Sequence, residues 1–321
     1  MTTPLWTPSA DRIANSRLTA YQHWLQDRHQ LSFADYASLH QWSVENPEPF
    51  WESVWQFCGV KAQQSYDRVL DNGDTFPTCG EPSARWFPGA RLNFAENLLR
   101  RRDDKTALVS LLENGQRRSL SYAELYTQVE KLAHTLREQG VQAGDRVAGF
   151  MPNIPETVIA MLATTSIGAI WSSCSPDFGF QGVMDRFAQI QPKVLFAIDG
   201  YFYNGKTLDT RDRVAEIANS LESIEQVIVT SVTCDRADLA GIDKALHFSD
   251  ALSDSPAPLT FAALPFDHPL YIMYSSGTTG TPKCIVHSAG GTLLQHLKEH
   301  QLHTDIIPDH EQVYFTTCGW M

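Results

Sequence analysis

Between residues 146 and 230 short apolar runs take turns with helical patterns. Strand-like runs fall at 146–150, 169–173, 193–198 and 227–230, and helix-like spacing at 155–166, 179–189 and 211–221. The runs are apolar at successive positions, so each strand is expected to be covered on both faces. That predicts a largely parallel sheet with right-handed helical crossovers. The helix carrying Val158, Ile159, Met161 and Leu162 is apolar almost all round and should be among the most buried. Ahead of this region, Asn114-Gly115 separates two β-rich runs, a hairpin signal. Ser121 with Glu124 makes a capping box that opens a helix through Leu125, Val129, Leu132 and Leu136, closing at Gly140.

The first 57 residues are helical in spacing and rich in aromatics, with Tyr21, Trp24 and Leu25, then Phe33, Tyr36, Leu39 and Trp42. Pro49 is expected to open the helix that runs to Phe57. Residues 250–265, rich in Ser, Pro and Ala, read as a surface connection. Strands are expected at 270–273 and 284–286, a helix at 289–302 with Leu293, Leu294 and Leu297 inward, and a last strand at 313–317.

A length of 321 residues with 43% hydrophobic and 19% charged content supports one large core or two modest ones. No apolar run approaches a membrane span and the start has no signal-peptide pattern, so a cytoplasmic setting is expected. The net charge of −12 argues against broad nucleic-acid binding and leaves small molecules as partners. Six scattered cysteines form no CxxC pair, which signals neither zinc nor a disulfide framework. Cys284 and Cys318 are expected to be small buried thiols in strands.

Chemistry concentrates at Tyr274 to Lys283, YSSGTTGTPK, between two apolar runs. Ser275, Ser276, Thr278 and Thr279 supply hydroxyls, Gly277 and Gly280 let backbone N–H groups turn toward one concavity, and Lys283 adds a positive charge. This suits a polyphosphate. It is not a Walker A loop, because Pro282 stands where the second glycine would be. The decapeptide resembles the phosphate loop of the adenylate-forming enzymes, matching it at every place. The resemblance implies ATP phosphates around Ser275 to Gly280 and Lys283, with Thr278 and Lys283 catalytic, together with Mg²⁺ and CoA.

Other segments refine the resemblance. WSVENPEPFWESVWQF and WFPGARLNFAENLL look like the N-terminal extension of the acetyl-CoA synthetase branch. The segment DGYFYNGK falls where that branch has a basic CoA-contacting turn, and only Lys206 keeps the charge. SPDFGFQG takes the place of a glycine-rich turn but carries Pro176 and Asp177 there, and it is left unassigned. GGTLLQHLKEHQLHTD and TTCGWM resemble the acetoacetyl-CoA synthetase subfamily, in which Trp320 and Met321 would shape a pocket for a β-keto acid. His296-Leu297-Lys298-Glu299-His300 also spells the inverted zinc-protease motif, with a solvated polar helix face as the plainer reading.

The fold expected from the resemblance is α/β, the N-terminal portion of the adenylate-forming fold. It has a helical extension over 1–99, an incomplete AMP-binding domain over 100–321 and no C-terminal domain. The implied activity is ATP-dependent ligation of acetoacetate to CoA through an acyl-adenylate, by a chain expected to be inactive alone. Acetyl- or propionyl-CoA synthesis, and a non-catalytic phosphate-binding or interaction protein, stay open as alternatives.

Overall fold

The computed structural model describes residues 5–73, 84–275, 280–308, 310–313 and 316–319. Contacts divide the chain into two compact units, one of residues 1–91, 265–267 and 290–314, the other of 92–264, 268–289 and 315–321.

The first unit is helical and aromatic. Helices α1 (Ala10–Ala14), α2 (Arg17–His29), α3 (Tyr36–Glu45) and α4 (Pro47–Phe57) follow one another. Ser9, Ser16 and Asp35 cap the first three by accepting from backbone N–H groups of the opening turn. Pro47, not Pro49, is the first residue of α4: Asn46 is the N-cap and both prolines lie in the first turn, where no N–H has an intrahelical partner to lose. Tyr21 is 1% exposed with its hydroxyl 2.5 Å from Ser53 Oγ, which joins α2 to α4. Trp55, Phe87 and Phe266 stack at 4.8–6.4 Å between ring centroids and supply much of this unit's core.

The second unit carries the expected sheet. Its labelled elements begin with α5 (Phe94–Leu98), the hairpin β1 (Thr106–Leu111) and β2 (Arg117–Ser121), and α6 (Tyr122–Glu138). Gly115 turns that hairpin with φ +83°, and Ser121 and Glu124 form the capping box, with N···O distances of 3.1 and 2.7 Å. Then come β3 (Arg146–Phe150), α7 (Pro155–Ile167), β4 (Ile170–Cys174), α8 (Phe180–Ile190) and β5 (Val194–Ile198). The chain continues through β6 (Gly200–Tyr203), β7 (Lys206–Asp209), α9 (Arg211–Ser220), β8 (Gln226–Thr230) and β9 (Ala245–His247). It then forms β10 (Pro269–Ser275) and β11 (Lys283–Ser288), after which α10 (Ala289–Lys298), whose residues from 290 on belong to the first unit, leads to a π-helical turn, Glu299–His303.

Seven strands lie in the order β9-β8-β5-β3-β4-β10-β11, parallel except that β11 runs antiparallel to β10. Alternate strand residues feed two cores. Val147, Trp171 and Phe196 pack with α6 and α7, whereas Ala148, Phe150, Leu195 and Ile272 pack with α8 and α9. Phe187 and Phe196 are fully buried, each worth roughly 2–3 kcal/mol of apolar burial. Helix α7 buries ten of its 13 residues, as its all-round apolarity predicts. Gly168 ends it at φ +89°, and a Cβ there would also sit 2.9 Å from Leu264.

Several expectations need correction. Residues 199–206 are not a bare turn: β6 and β7 form a tight hairpin with Asn204 (φ +50°) and Gly205 (φ +72°) at its tip. At the described positions 313, 316 and 317 there is no strand, because none of these residues joins a ladder. Cys284 is exposed, since it lies on β11 at the edge of the sheet. Cys318 is half-buried in a turn with its thiol turned inward, donating to the Met151 carbonyl at 2.6 Å.

Candidate active site

The loop whose sequence suits a polyphosphate joins β10 to β11, and Ser275 is paired with Lys283 across the ladder. Cross-strand partners share a face of the sheet and neighbours along a strand alternate. Ser275 and Lys283 therefore leave one face, and Tyr274 and Cys284 the other, where Tyr274 packs on the α8–α9 core. Gly280 adopts φ +96° with open space around the position a Cβ would take, so backbone conformation rather than crowding calls for glycine. Ser276, Gly277, Thr278 and Thr279 lie outside the described residues. Lys283 is exposed, and no carboxylate among the described residues pairs with it.

Below the loop, Ser172 Oγ lies 2.8 Å from the Ile272 carbonyl and 2.9 Å from Tyr274 Oη. A hydroxyl has one proton, so Ser172 donates to the carbonyl and accepts from the phenol. Burial pushes the Tyr274 phenol well above its ordinary range and keeps it a neutral donor. On α8, the Arg186 guanidinium lies 4.4 Å from the Phe178 ring centroid and 5.6 Å from that of Tyr274. One turn on, Gln189 Nε2 donates to the Pro282 carbonyl at 2.8 Å. Neither residue stands in a motif. Their i, i+3 spacing places both on one side of α8, but nothing local says what that side meets.

Because β3, β4 and β10 are parallel, their carboxyl ends share one edge of the sheet, the edge at which open α/β sheets bind ligands. Three side-chain hydrogen bonds hold residues 316–319 along that edge. Asn153 donates to the Thr316 carbonyl, Ser173 to the Cys318 carbonyl at 2.7 Å, and Cys318 to that of Met151. Gly319 sits so close that a Cβ would lie 2.9 Å from the Ser173 carbonyl oxygen. Trp320 and Met321, read as pocket residues, lie outside the described residues. In the loop after β4, Asp177 accepts from Ser175 Oγ at 2.8 Å, and Arg213 donates to the carbonyls of Pro176 and Phe178.

Lys206 is exposed beside the tip of the β6–β7 hairpin, which leaves the same edge of the sheet after β5. Strand β5 stands three positions from β10, a separation of about 14 Å, so the structure does not join Lys206 to the β10–β11 loop. His296 and His300 are exposed, with ring centroids 5.9 Å apart, and Glu299 between them binds Lys298 at 2.7 Å. Among the described residues no group of three His, Cys, Asp or Glu could hold a metal ion. A separate cavity of about 240 Å³ at the ends of β8 and β9 is lined in part by Thr230, His247 and Arg236, the last paired with Asp250.

The sheet, the loop at its carboxyl edge and the helical first unit are features of one class of protein. Residues 94–320 match the AMP-binding enzyme family, and the chain belongs to it. Residues 36–98 match the acetyl-coenzyme A synthetase N-terminus, in accord with the aromatic helix and the WFPGARLNF segment. Among relatives, the chain is 48% identical to an acetoacetyl-coenzyme A synthetase of Rhizobium meliloti over 99% of its own length and 48% of the relative's. It is 39% identical to a malonamoyl-CoA synthetase of Penicillium aethiopicum, covering 99% of this chain and 45% of that one. The solved structure of an acetoacetyl-CoA synthetase from Streptomyces lividans superposes with a TM-score of 0.92 at 43% identity, over 99% of this chain and 48% of that one. The chain thus spans about half the length of the relatives it matches. Among the described residues no helix is long and apolar enough to cross a membrane.

Proposed function

We propose that this chain contributes the phosphate-binding half of an acetoacetate–CoA ligase. The observation that carries the reading is the β10–β11 hairpin, which presents the loop with Ser275 and the exposed Lys283, unpaired with any carboxylate among the described residues, side by side at the carboxyl edge of the sheet. In the reaction the acetoacetate carboxylate attacks the α-phosphorus of ATP and pyrophosphate leaves. The CoA thiol then attacks the acyl-adenylate carbonyl and AMP leaves. No protein nucleophile is needed, so the protein acts by positioning and by neutralising charge.

Ser275, Ser276, Thr278, Thr279 and the amides of Gly277 and Gly280 would cradle the β- and γ-phosphates. Lys283 would offset the charge that builds on departing pyrophosphate, with Thr278 donating from the same loop. Against the chain's net charge of −12, an anionic ligand needs such a local cluster of donors. Mg²⁺ would arrive with the triphosphate, and the described residues offer it no protein ligand set. Trp320 and Met321 are assigned to the acid pocket and Lys206 to CoA phosphate. The names of the Rhizobium and Streptomyces relatives support acetoacetate, and the Penicillium relative points to a neighbouring acid of similar size.

Two measurements test the reading. Calorimetric titration of the 321-residue chain with ATP and with inorganic pyrophosphate should show saturable binding. Pyrophosphate exchange, run with the chain joined to the second half of the Rhizobium relative, should favour acetoacetate over acetate, propionate and malonamate. Absence of any phosphate binding overturns the site, and preference for another acid overturns the substrate.

A further inference from the structure

The two feet of the phosphate loop are tied to one helix. Gln189 on α8 uses its whole side-chain amide: Nε2 donates to the Asp185 carbonyl of its own helix at 2.6 Å and to the Pro282 carbonyl at 2.8 Å. Its Oε1 accepts the Cys284 thiol at 3.6 Å. Three residues earlier on the same side of α8, Arg186 holds its guanidinium against Phe178 and Tyr274, with NH1 on the Gly182 carbonyl at 2.7 Å. Tyr274 precedes the loop, and Pro282 and Cys284 follow it.

Among the described residues, strand β11 is an edge strand with β10 as its one ladder partner, and four of its six residues are exposed. An edge hairpin supported by one ladder frays easily, and any ordering of its two strand ends on binding lowers affinity. Fixing both feet beforehand removes part of that cost. We propose that α8 is a clamp that pre-sets the phosphate loop, with Gln189 and Arg186 as positioning residues for the polyphosphate ligand.

This inference rests on the phosphate-binding reading of the loop. It requires neither side chain to touch the ligand. Gln189 is exposed, so Gln189→Met removes both of its bonds across to the loop while keeping the fold. The test uses the 321-residue chain, with pyrophosphate and ATP as titrants and iodoacetamide labelling of Cys284 followed by mass spectrometry. Gln189→Met is expected to weaken pyrophosphate binding about tenfold and to speed Cys284 labelling several-fold, at a melting temperature close to that of the parent. Arg186→Met is expected to weaken binding to a similar degree, and Arg186→Lys to recover part of it. If the parent binds pyrophosphate and Lys283→Met weakens it, but Gln189→Met binds as the parent does, the clamp is wrong and the loop reading stands. If the parent binds no polyphosphate, both fall together. Should Arg186→Met fail to fold, the affinity of Gln189→Met decides alone.

Discussion

Ser275 and Lys283 are cross-strand partners in the β10–β11 ladder, so their side chains leave the same face of the sheet on either side of the loop that joins them. On the reading proposed above, a ligand seated in the loop would meet a hydroxyl from one strand and an ammonium from the other. Lys283 is the charged member of that pair, and charge-assisted hydrogen bonds contribute about 1.5–3 kcal/mol. Lys283→Met should therefore raise the ATP dissociation constant of the chain by roughly 10- to 100-fold. Calorimetry at low ionic strength reads the change, and a shift under twofold would remove Lys283 from the site.

Gly319 presses on the Ser173 carbonyl, and that neighbour is backbone and cannot swing away. Gly319→Ala should cost about 1–3 kcal/mol in overpacking or detach residues 316–319 from β4. Gly280→Ala, by contrast, meets open space and carries only the strain of φ +96°. Urea denaturation should separate the two, with the larger loss at Gly319.

Asn93 is fully buried and caps α5 through Oδ1, while its Nδ2 reaches the carbonyls of Thr165, Ser166 and Ala262 at 3.1 Å each. Removing that amide leaves buried carbonyls without a donor, at about 1–3 kcal/mol. Asn93→Asp keeps the shape but turns an acceptor toward three acceptors, so it should destabilise more than Asn93→Ala. Equal urea midpoints for the two variants would argue that Asn93 serves as a cap alone.

Burial pushes the thiols of Cys174 and Cys318 from an ordinary 9.0 up to about 12. Both hold their protons longer folded than unfolded. Their contribution to stability is complete below about pH 9 and is lost as pH climbs from there toward about 12. The melting temperature should fall with pH above about 9, and the Cys174→Ala/Cys318→Ala double variant should fall less steeply. Parallel curves would contradict the burial of these thiols.

Much of the architecture could be read from the chain because its cause is local. The Ser121–Glu124 box, the Asn114-Gly115 turn and the apolar runs at β3, β4, β5 and β8 each express short-range geometry or two-sided burial, and each appears where the pattern puts it. The loop motif is a local signal too, since a polyphosphate cradle needs glycines, hydroxyls and a cation in a fixed order; its assignment stands as a proposal. Asn204-Gly205 carries the same local signature as Asn114-Gly115, and it too turns a hairpin, β6–β7.

What the sequence by itself determined, then, is the class of sheet and its main helices, because periodicity and turn chemistry act within a few residues. Only tertiary structure decided that β11 turns back as an exposed edge, which put Cys284 at the surface, and that residues near 317 cross the ends of β3 and β4 as a strap rather than pairing as a strand. It also decided that Gln189, 93 residues before Pro282, grips the loop. Such contacts depend on how right-handed crossovers return α8 to the face of the sheet that Tyr274 and Cys284 share, and that geometry is a property of the assembled fold.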